Sequence, residues 1–414
     1  MIKKIIVALS LLLSLTALSQ EGTSSPYSFY GIGDVRFRGT NETNSMGGLS
    51  VLSDSIHINL QNPALLSSLK LTNFAIGGTY GTTRQVTTAK VEKTKRTTFD
   101  YLSVGIPVGK LGLNLSLIPY SSVGYKVRTA STTSSPITTD YDGIGGINKV
   151  VTGFGYQITP KFSLGADFQY NFGKIETTST ISQNVQLGTR EKNVSTATGV
   201  TFNTGLAFNT KINKKLTLST GVTYSPESSL KLENERRIAT VQFLTSGVFV
   251  IDESDPENAT TTIKLPSKFS FGTAIGIARK WNVGTEIVYQ NTSKLTNRFG
   301  NINNVTFENS IRYSVGGYYI PKYNSFTNYF SKVTYRGGLR YENTGLVINN
   351  KAIKDQAITL GFGLPLGGTF SNINVGFEYG YRGTIYQNLI REKYLNLSIA
   401  LSFNDKWFRK SKIE

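Results

Sequence analysis

From residue 70 onward, the sequence repeats a pattern of about ten residues in which apolar and polar side chains alternate. Alternation with a period of two places every second side chain on the same face of a β-strand. Fourteen such segments can be placed: 73–82, 99–108, 111–120, 150–157, 162–172, 200–210, 216–224, 269–277, 281–290, 310–319, 333–341, 357–366, 372–381 and 394–403. An even number of antiparallel strands of this length is typical of a bacterial transmembrane barrel. We therefore predict an all-β fold, a 14-stranded antiparallel transmembrane β-barrel.

The connections between these segments alternate in length. Short turns, such as Gly109-Lys110 and 278–280, alternate with long polar connections, and only the aromatic segment 321–331 breaks the alternation. If the last strand ends in the periplasm, the long connections fall on the extracellular side, where barrels carry their long loops. These predicted loops are 83–97, 121–149, 173–198, 225–267, 291–308, 342–356 and 382–393. The connections of a soluble β-sandwich need not alternate between short and long. The alternation in loop length therefore favours a membrane barrel.

The first 19 residues have the composition of a secretory signal peptide. Lys3 and Lys4 form a basic start, an apolar run follows, and Ala17-Leu18-Ser19 resembles a small-residue cleavage site. The apolar run, 5–18, is shorter than the roughly 20 residues that a spanning helix needs. We therefore predict that residues 1–19 are removed, that the mature chain begins at Gln20, and that the protein is a multi-pass barrel of the bacterial outer membrane.

The composition excludes several kinds of functional site. The chain has no Cys and one His, His57, so thiolate and imidazole metal sites lack ligands, and we predict neither a metal nor a cofactor. Asp54, Ser55 and His57 are close in sequence, but neighbours on an extended segment point to opposite faces and do not form a catalytic triad. We therefore predict no catalytic residues and no enzymatic activity.

The chain carries a formal net charge of +18, from 44 Lys and Arg against 26 Asp and Glu. The basic residues are spread over turns and loops rather than along one element, so nucleic acid is not an expected partner. Outer-membrane lipid and lipopolysaccharide are the expected anionic partners. An acidic loop cluster is expected to be solvated or to bridge lipopolysaccharide through a divalent ion; it consists of Asp252, Glu253, Asp255 and Glu257.

Residues 20–69 do not follow the strand pattern and resemble a known element. They contain a Gly-rich start, then Ser45-Met46-Gly47-Gly48, Asp54-Ser55, Asn59, and Asn62-Pro63-Ala64 followed by two leucines. This order resembles the N-terminal hatch of the FadL/TodX (OmpP1-type) outer-membrane transport proteins, in particular their Bacteroidota relatives. Two later stretches share the resemblance, 335–341 and 377–383.

The resemblance implies a division of the chain into four parts. Residues 1–19 are the signal peptide, 20–69 a hatch that plugs the lumen, 70–403 the barrel, and 404–414 a periplasmic C-terminal extension. The expected hatch and gating residues are Gly47, Gly48, Asn62, Pro63 and Ala64.

The residue types of the hatch motif suit a plug. Pro63 fixes its own φ and restricts Asn62, whose amide can bond to nearby backbone. Gly47 and Gly48 allow the plug backbone to approach the wall closely. The alternative is an ordinary Asn-Pro turn that leads into a short helix at 64–69.

The resemblance implies that this chain, like the family, takes up a long-chain hydrophobic compound passively through the plugged barrel. Such a cargo would bind through burial of its methylene groups, at roughly 0.8 kcal/mol each. The family often offers a cation to the substrate carboxylate, and Arg336, Arg340 and Arg382 are candidates by strand parity. The alternative for each is a wall arginine paired with Glu378 or Glu342 in a polar interior.

A second function from a different class stays open. Some Bacteroidota barrels of this fold are non-transporting subunits of larger outer-membrane secretion or assembly complexes. The aromatic segment 323–330 and the aromatic and basic C-terminus 407–412 would then dock periplasmic or outer-membrane protein partners.

Overall fold

The computed structural model describes residues 22–35, 37–130, 137–183, 187–295 and 304–407. Fourteen long antiparallel strands form a closed barrel, which confirms the predicted fold. We number them β1 to β14: Thr72–Val86, Val91–Val108, Leu111–Ala130, Ile137–Gln157, Phe162–Gln183, Leu187–Lys211, Leu216–Ser225, Lys268–Ile277, Trp281–Gln290, Ser310–Tyr319, Thr334–Ile348, Lys351–Pro365, Asn372–Arg382 and Arg391–Asp405. Pairing of β14 with β1, from Arg391↔Val86 to Asp405↔Thr72, closes the circle.

The predicted signal peptide and most of the predicted C-terminal extension lie outside the described residues. Asn404 and Asp405 continue β14, so the last strand ends two residues later than predicted, and it begins three residues earlier, at Arg391. The structure does not otherwise test these two segments.

The two faces of each strand differ in polarity. On β5, Phe162 and Phe168 point outward and are 52% and 42% exposed, whereas Ser163 and Asp167 point inward and are buried. An outward apolar belt suits lipid, which offers no hydrogen bonds, and the polar groups face a lumen where partners are available. The alternation in the sequence therefore sorts side chains between lipid and lumen.

Most of the predicted extracellular loops are continuations of the strands. Segments 121–149 and 173–198 lie largely within β3 to β6, and β6 alone has 25 residues. About 9–11 residues suffice to cross the bilayer, so these strands extend well beyond it. The prediction of loops there was wrong. These segments are rich in Thr and Val but do not alternate regularly between apolar and polar residues, and such residues favour strands once a neighbouring strand pairs with them.

Three further strands lie within the predicted loop 225–267. They are Ser228–Leu244, Gly247–Glu253 and Glu257–Leu265, which we call together the outer hairpin. Ser228–Leu244 pairs with β6 on one side and with the other two strands on its second side. The outer hairpin therefore extends the wall of the barrel above the membrane.

The remaining regular elements are short. A one-turn α-helix spans Asn41–Asn44, and no helix in the described ranges has the length and hydropathy to cross a membrane. The other short elements are the 3-10 helices Pro26–Phe29, Pro63–Ser68, Thr292–Lys294 and Tyr386–Asn388 and the strands Asp34–Val35 and Val305–Phe307.

Between β2 and β3, the wall separates in its extracellular half. The two strands pair only from Val108↔Leu111 to Leu102↔Leu117. Beyond that point, within the described residues, β2 pairs only with β1, and β3 pairs with β4 and with Asp34–Val35. The lumen therefore has a lateral gap on this side.

A matched pair of substitutions tests where lipid contacts the barrel. Leu206 and Leu187 lie on the same strand, β6, and are 57% and 49% exposed. Leu206→Arg places a cation in the belt and is expected to cost about 2–4 kcal/mol of folding free energy. Leu187→Arg lies above the bilayer and is expected to cost far less. Urea-dependent folding into lipid vesicles measures both, and equal costs would contradict the placement.

Candidate functional site

Residues 22–35 and 37–71, which we call the hatch, contact the inner side of the barrel wall, and the Asn-Pro motif is seated against β6. Asn62 is 1% exposed, and its Oδ1 accepts a hydrogen bond from the N–H of Ala64 at 3.1 Å, which caps the helix Pro63–Ser68. Its Nδ2 donates to the carbonyl of Leu206 on β6 at 3.2 Å. The motif is therefore both a cap for a short helix and a contact between hatch and wall.

Glycines of the wall make room for this helix. A Cβ at Gly205 would lie 2.2 Å from Oδ1 of Asn62, and one at Gly155 would lie 2.3 Å from the carbonyl oxygen of Pro63. Such distances are impossible for real side chains, so the wall must be glycine at these positions.

Gly47 and Gly48 lie in a tight turn against β11 and β12. Both have positive φ, +73° and +90°, a conformation that favours glycine. The N–H of Gly47 donates to Oγ1 of Thr359 at 3.0 Å, and a Cβ there would lie 2.7 Å from the carbonyl of Leu339. Gly47 therefore sets the contact between the hatch and this part of the wall.

Further polar contacts fix the hatch elsewhere around the lumen. Oε2 of Glu286 on β9 accepts hydrogen bonds from the N–H and the hydroxyl of Ser50, at 2.6 and 2.8 Å. Nδ2 of Asn41 donates to the hydroxyl of Ser398 on β14 at 2.9 Å. These contacts tie the hatch to strands on several sides of the barrel.

Arg340 lies at the centre of a buried charge network. Its Nη2 donates to Oε1 of Glu378 at 2.6 Å and to the hydroxyl of Tyr394 at 3.1 Å. Asp355 lies 3.7 Å away and accepts a hydrogen bond from Nη2 of the hatch residue Arg38 at 2.8 Å. Arg340 is thus a paired wall arginine, the alternative raised from sequence.

Arg382 joins the wall to the start of the hatch. Its guanidinium donates to Oε2 of Glu392 at 2.7 and 2.9 Å, and its Nη1 donates to Oδ1 of Asp34 at 2.8 Å. Ser25 accepts a further hydrogen bond from Nη2. The partners are therefore Glu392 and Asp34 rather than the predicted Glu378 or Glu342.

Arg336 is linked to the hatch through the side-chain amide of Asn374. Its Nη1 donates to Oδ1 of Asn374 at 3.0 Å, and Nδ2 of Asn374 donates to Oε1 of the hatch residue Glu42 at 2.7 Å. Each of the three predicted lumenal arginines therefore points inward and is engaged by protein groups.

Several residues of this network were not identified from sequence. Glu286 and Tyr394 occupy inward positions of predicted strands, and this parity was the signal that could have found them. Glu392 lies in a segment predicted as a loop, which the structure places in β14. Asp34 and Arg38 lie in an irregular segment without a periodic pattern. They could be found only from the fold.

Two of the cavities around the hatch are large enough to describe. The larger, about 880 Å³, lies beside the gap between β2 and β3, and its lining is rich in charged side chains of both signs. They include Arg38, Arg96, Lys174, Asp355, Glu378 and Glu392. The smaller, about 270 Å³, combines apolar residues such as Leu60 and Ile118 with Lys268 and Arg312. A long alkyl chain in the larger cavity would lie beside the charged groups of that lining, which are costly to desolvate.

The only histidine lies in the hatch. Nδ1 of His57 lies 2.7 Å from Oδ2 of Asp54, and Nε2 lies 3.8 Å from Oε1 of Glu42. Burial alone would lower the pKa of His57, but the charge and hydrogen bond of Asp54 and the charge of Glu42 raise it above its usual value. Burial would raise the pKa of Asp54, but His57 and the N–H of Ile56 lower it to about 2.

Similar folds are found among solved structures of hydrocarbon channels. The Pseudomonas putida toluene transporter TodX is 17% identical, with a TM-score of 0.57 over 91% of this chain and 100% of that chain. The CymD monoaromatic hydrocarbon channel is 11% identical, with a TM-score of 0.59 over 92% and 99%. A FadL homologue from Pseudomonas aeruginosa is 12% identical, with a TM-score of 0.61 over 90% and 100%. At these identities, the likeness shows the fold.

The fold is that of a closed 14-stranded antiparallel β-barrel, as in the solved hydrocarbon channels. The chain belongs to the BamG family, whose model matches residues 1–414. No curated protein matches the sequence.

Removing one charge from the buried network tests its role in stability. Arg340→Met removes the ion-pair partner of Glu378, while Asp355 keeps Arg38, and is expected to cost about 3 kcal/mol of folding free energy. The matched control is Arg128→Met, which breaks the exposed pair with Asp140 and is expected to change stability much less. Urea unfolding of the folded barrel in micelles measures both. A similar shift for both variants would contradict a central role for Arg340.

The His57–Asp54 pair predicts a pH-dependent hatch. Because the folded pKa of His57 is raised, its stabilising contribution is complete below about pH 6.5 and is lost as the pH rises through the folded value. Asp54 stays ionised over this range. Hydrogen exchange of hatch peptides, corrected for the intrinsic pH effect, should therefore increase from pH 6 to pH 9. His57→Gln should abolish the increase, and an unchanged increase in that variant would contradict the prediction.

Proposed function

We propose that this protein is a non-transporting barrel subunit of a larger secretion or assembly complex in the bacterial outer membrane. The observation that carries the proposal is the set of charged and polar contacts that bonds the hatch to the wall. Among the described residues, Arg38 pairs with Asp355 and Asp34 pairs with Arg382, each at 2.8 Å.

The energy of opening supports this proposal. Displacement of the hatch would break both ion pairs together with the hydrogen bonds of Asn62, Gly47 and Ser50 to the wall. Because these contacts lie on several strands, they would have to break together, which keeps the open population small. A barrel that uses no energy source would then conduct little cargo, whereas a rigid closed barrel suits a structural role.

Exposed aromatic residues on the periplasmic side also support it. Phe326 is 99% exposed and Phe330 is 72% exposed, within the connection between β10 and β11. The connection is nevertheless fixed, because the hydroxyl of Tyr329 donates to the carbonyl of Pro365 at 3.2 Å and the hydroxyl of Tyr335 donates to the carbonyl of Phe330 at 3.1 Å. Aromatic side chains presented by an ordered segment are typical anchors of a protein interface. Trp407, which is 56% exposed, adds to this side.

A second candidate is passive uptake of a hydrophobic compound. The fold shared with the hydrocarbon channels and the lateral gap between β2 and β3 favour it. Gly47, Asn62 and Pro63 would then form the gate, and the larger cavity would lie on the route. The charged lining weighs against a long-chain cargo.

A pulldown of the full chain from its own membranes, in mild detergent, distinguishes the two functions. We expect partner proteins in fixed stoichiometry and no single long-chain compound bound to the barrel. Phe326→Ala with Phe330→Ala should reduce the yield of periplasmic partners, whereas the exposed extracellular control Tyr386→Ala should not. A barrel recovered alone, with a defined hydrophobic compound at one equivalent, would refute the subunit proposal and favour transport.

A further inference from the structure

The strand Gly247–Glu253 of the outer hairpin is exposed along its whole length. All seven residues are solvent-exposed, although four consecutive ones are apolar. Val248, Phe249, Val250 and Ile251 are 48%, 48%, 45% and 55% exposed. An apolar strand that is uncovered on both faces is uncommon on a protein surface and marks an interaction site.

Lipid does not cover this strand. Phe249 pairs with Gln242, which pairs with Leu187 on β6, so the three lie at the same height. Leu187 is 13 residues (200 − 187) beyond Val200, where the outward apolar belt of β6 ends. At a rise of about 3.3 Å per residue and a tilt of about 40°, Phe249 lies about 30 Å above the belt.

One edge of the strand is free. Gly247–Glu253 pairs with residues 239–244 on one side, and on the other side it pairs with no strand of the described residues. Edge strands are usually blocked by Pro, by charged residues such as Lys, by a β-bulge or by a covering element. This strand contains neither Pro nor Lys, and its register shift lies between Val250 and Asp252, so Gly247–Val250 is regular. Its backbone can therefore accept another strand.

The charges at the Glu253 end of this edge indicate which side chains an added strand would carry. Glu253 lies 3.7 Å from Arg237, and Glu257 lies 3.1 Å from Arg236. Asp252 and Asp255 have no ion-pair partner in the part of the chain that the structure describes. The end of the edge is therefore acidic and unneutralised, which favours a cation on whatever binds there.

We propose that the edge Gly247–Glu253 receives a β-strand from another protein of the same complex, outside the membrane. The added segment would be apolar on both faces, because Val248 and Val250 face one side and Phe249 the other, and would carry Lys or Arg at the end that reaches Asp252. Main-chain hydrogen bonds provide the affinity of such strand addition, and the side chains provide its specificity. The inference rests on the proposed subunit function, since it requires a partner at the cell surface.

A second copy of the chain is a poorer match to this edge. In an antiparallel pair of two such strands centred on Val250, Asp252 of one copy would lie opposite Val248 of the other. Because the strand contains no cation, self-pairing would leave the acidic ends without opposite charges. The charge pattern therefore favours a different protein.

Site-specific photo-crosslinking in intact cells tests the proposal. A benzoylphenylalanine at position 248, 249, 250 or 251 should crosslink to one protein at adjacent sites of an extended segment, identified by mass spectrometry. The same probe at the exposed extracellular control position, Tyr386, should not capture that segment. Phe249→Lys should reduce recovery of this partner about tenfold or more, while Tyr386→Lys should not change it.

The alternative results separate this inference from the proposed function. Crosslinks to a second copy or to lipopolysaccharide would overturn strand addition by a partner. An absence of crosslinks in cells from which the complex is still recovered would also overturn strand addition, but it would not contradict the proposed subunit function. Absence of any stoichiometric complex would overturn both. Folding of each variant is checked by its heat-dependent shift on gel electrophoresis, and a substitution that prevents folding is replaced by Phe249→Thr.

Discussion

Each peptide group that enters the hydrocarbon must find its hydrogen-bond partner within the protein, and the rest of this structure depends on that requirement. The barrel meets it by pairing β14 with β1 and so closing the ladder. Closure creates a lumen, and the alternation of each strand lines that lumen with polar side chains. Those side chains must in turn be satisfied, because a buried charge without a partner is costly.

The hatch provides many of those partners. Asp34, Arg38 and Ser50 of the hatch meet Arg382, Asp355 and Glu286 of the wall, so neither part is fully satisfied without the other. Glycines at the contacts let the two backbones approach. In the proposed subunit role, these contacts make the hatch a structural core of the barrel rather than a gate.

Outside the membrane, the same ladder continues under a weaker constraint. Water can satisfy a strand edge there, so the edge Gly247–Glu253 can remain unpaired, whereas an edge in hydrocarbon could not. An open edge in this position is available to a partner. The exposed aromatic residues at the opposite end, led by Phe326, provide a second surface of different chemistry.

The sequence by itself determined the number of strands, their order and the face each residue takes, because these follow from a local period of two. It also indicated the hatch, through the motif at Asn62. The extent of β3 to β6 above the membrane, the partners of Arg340 and Arg382, and the outer hairpin were decided only by the tertiary structure. Thr-rich segments become strands only when a neighbour pairs with them, and an inward arginine finds its carboxylate across strands distant in sequence. Contacts of that kind leave no local pattern.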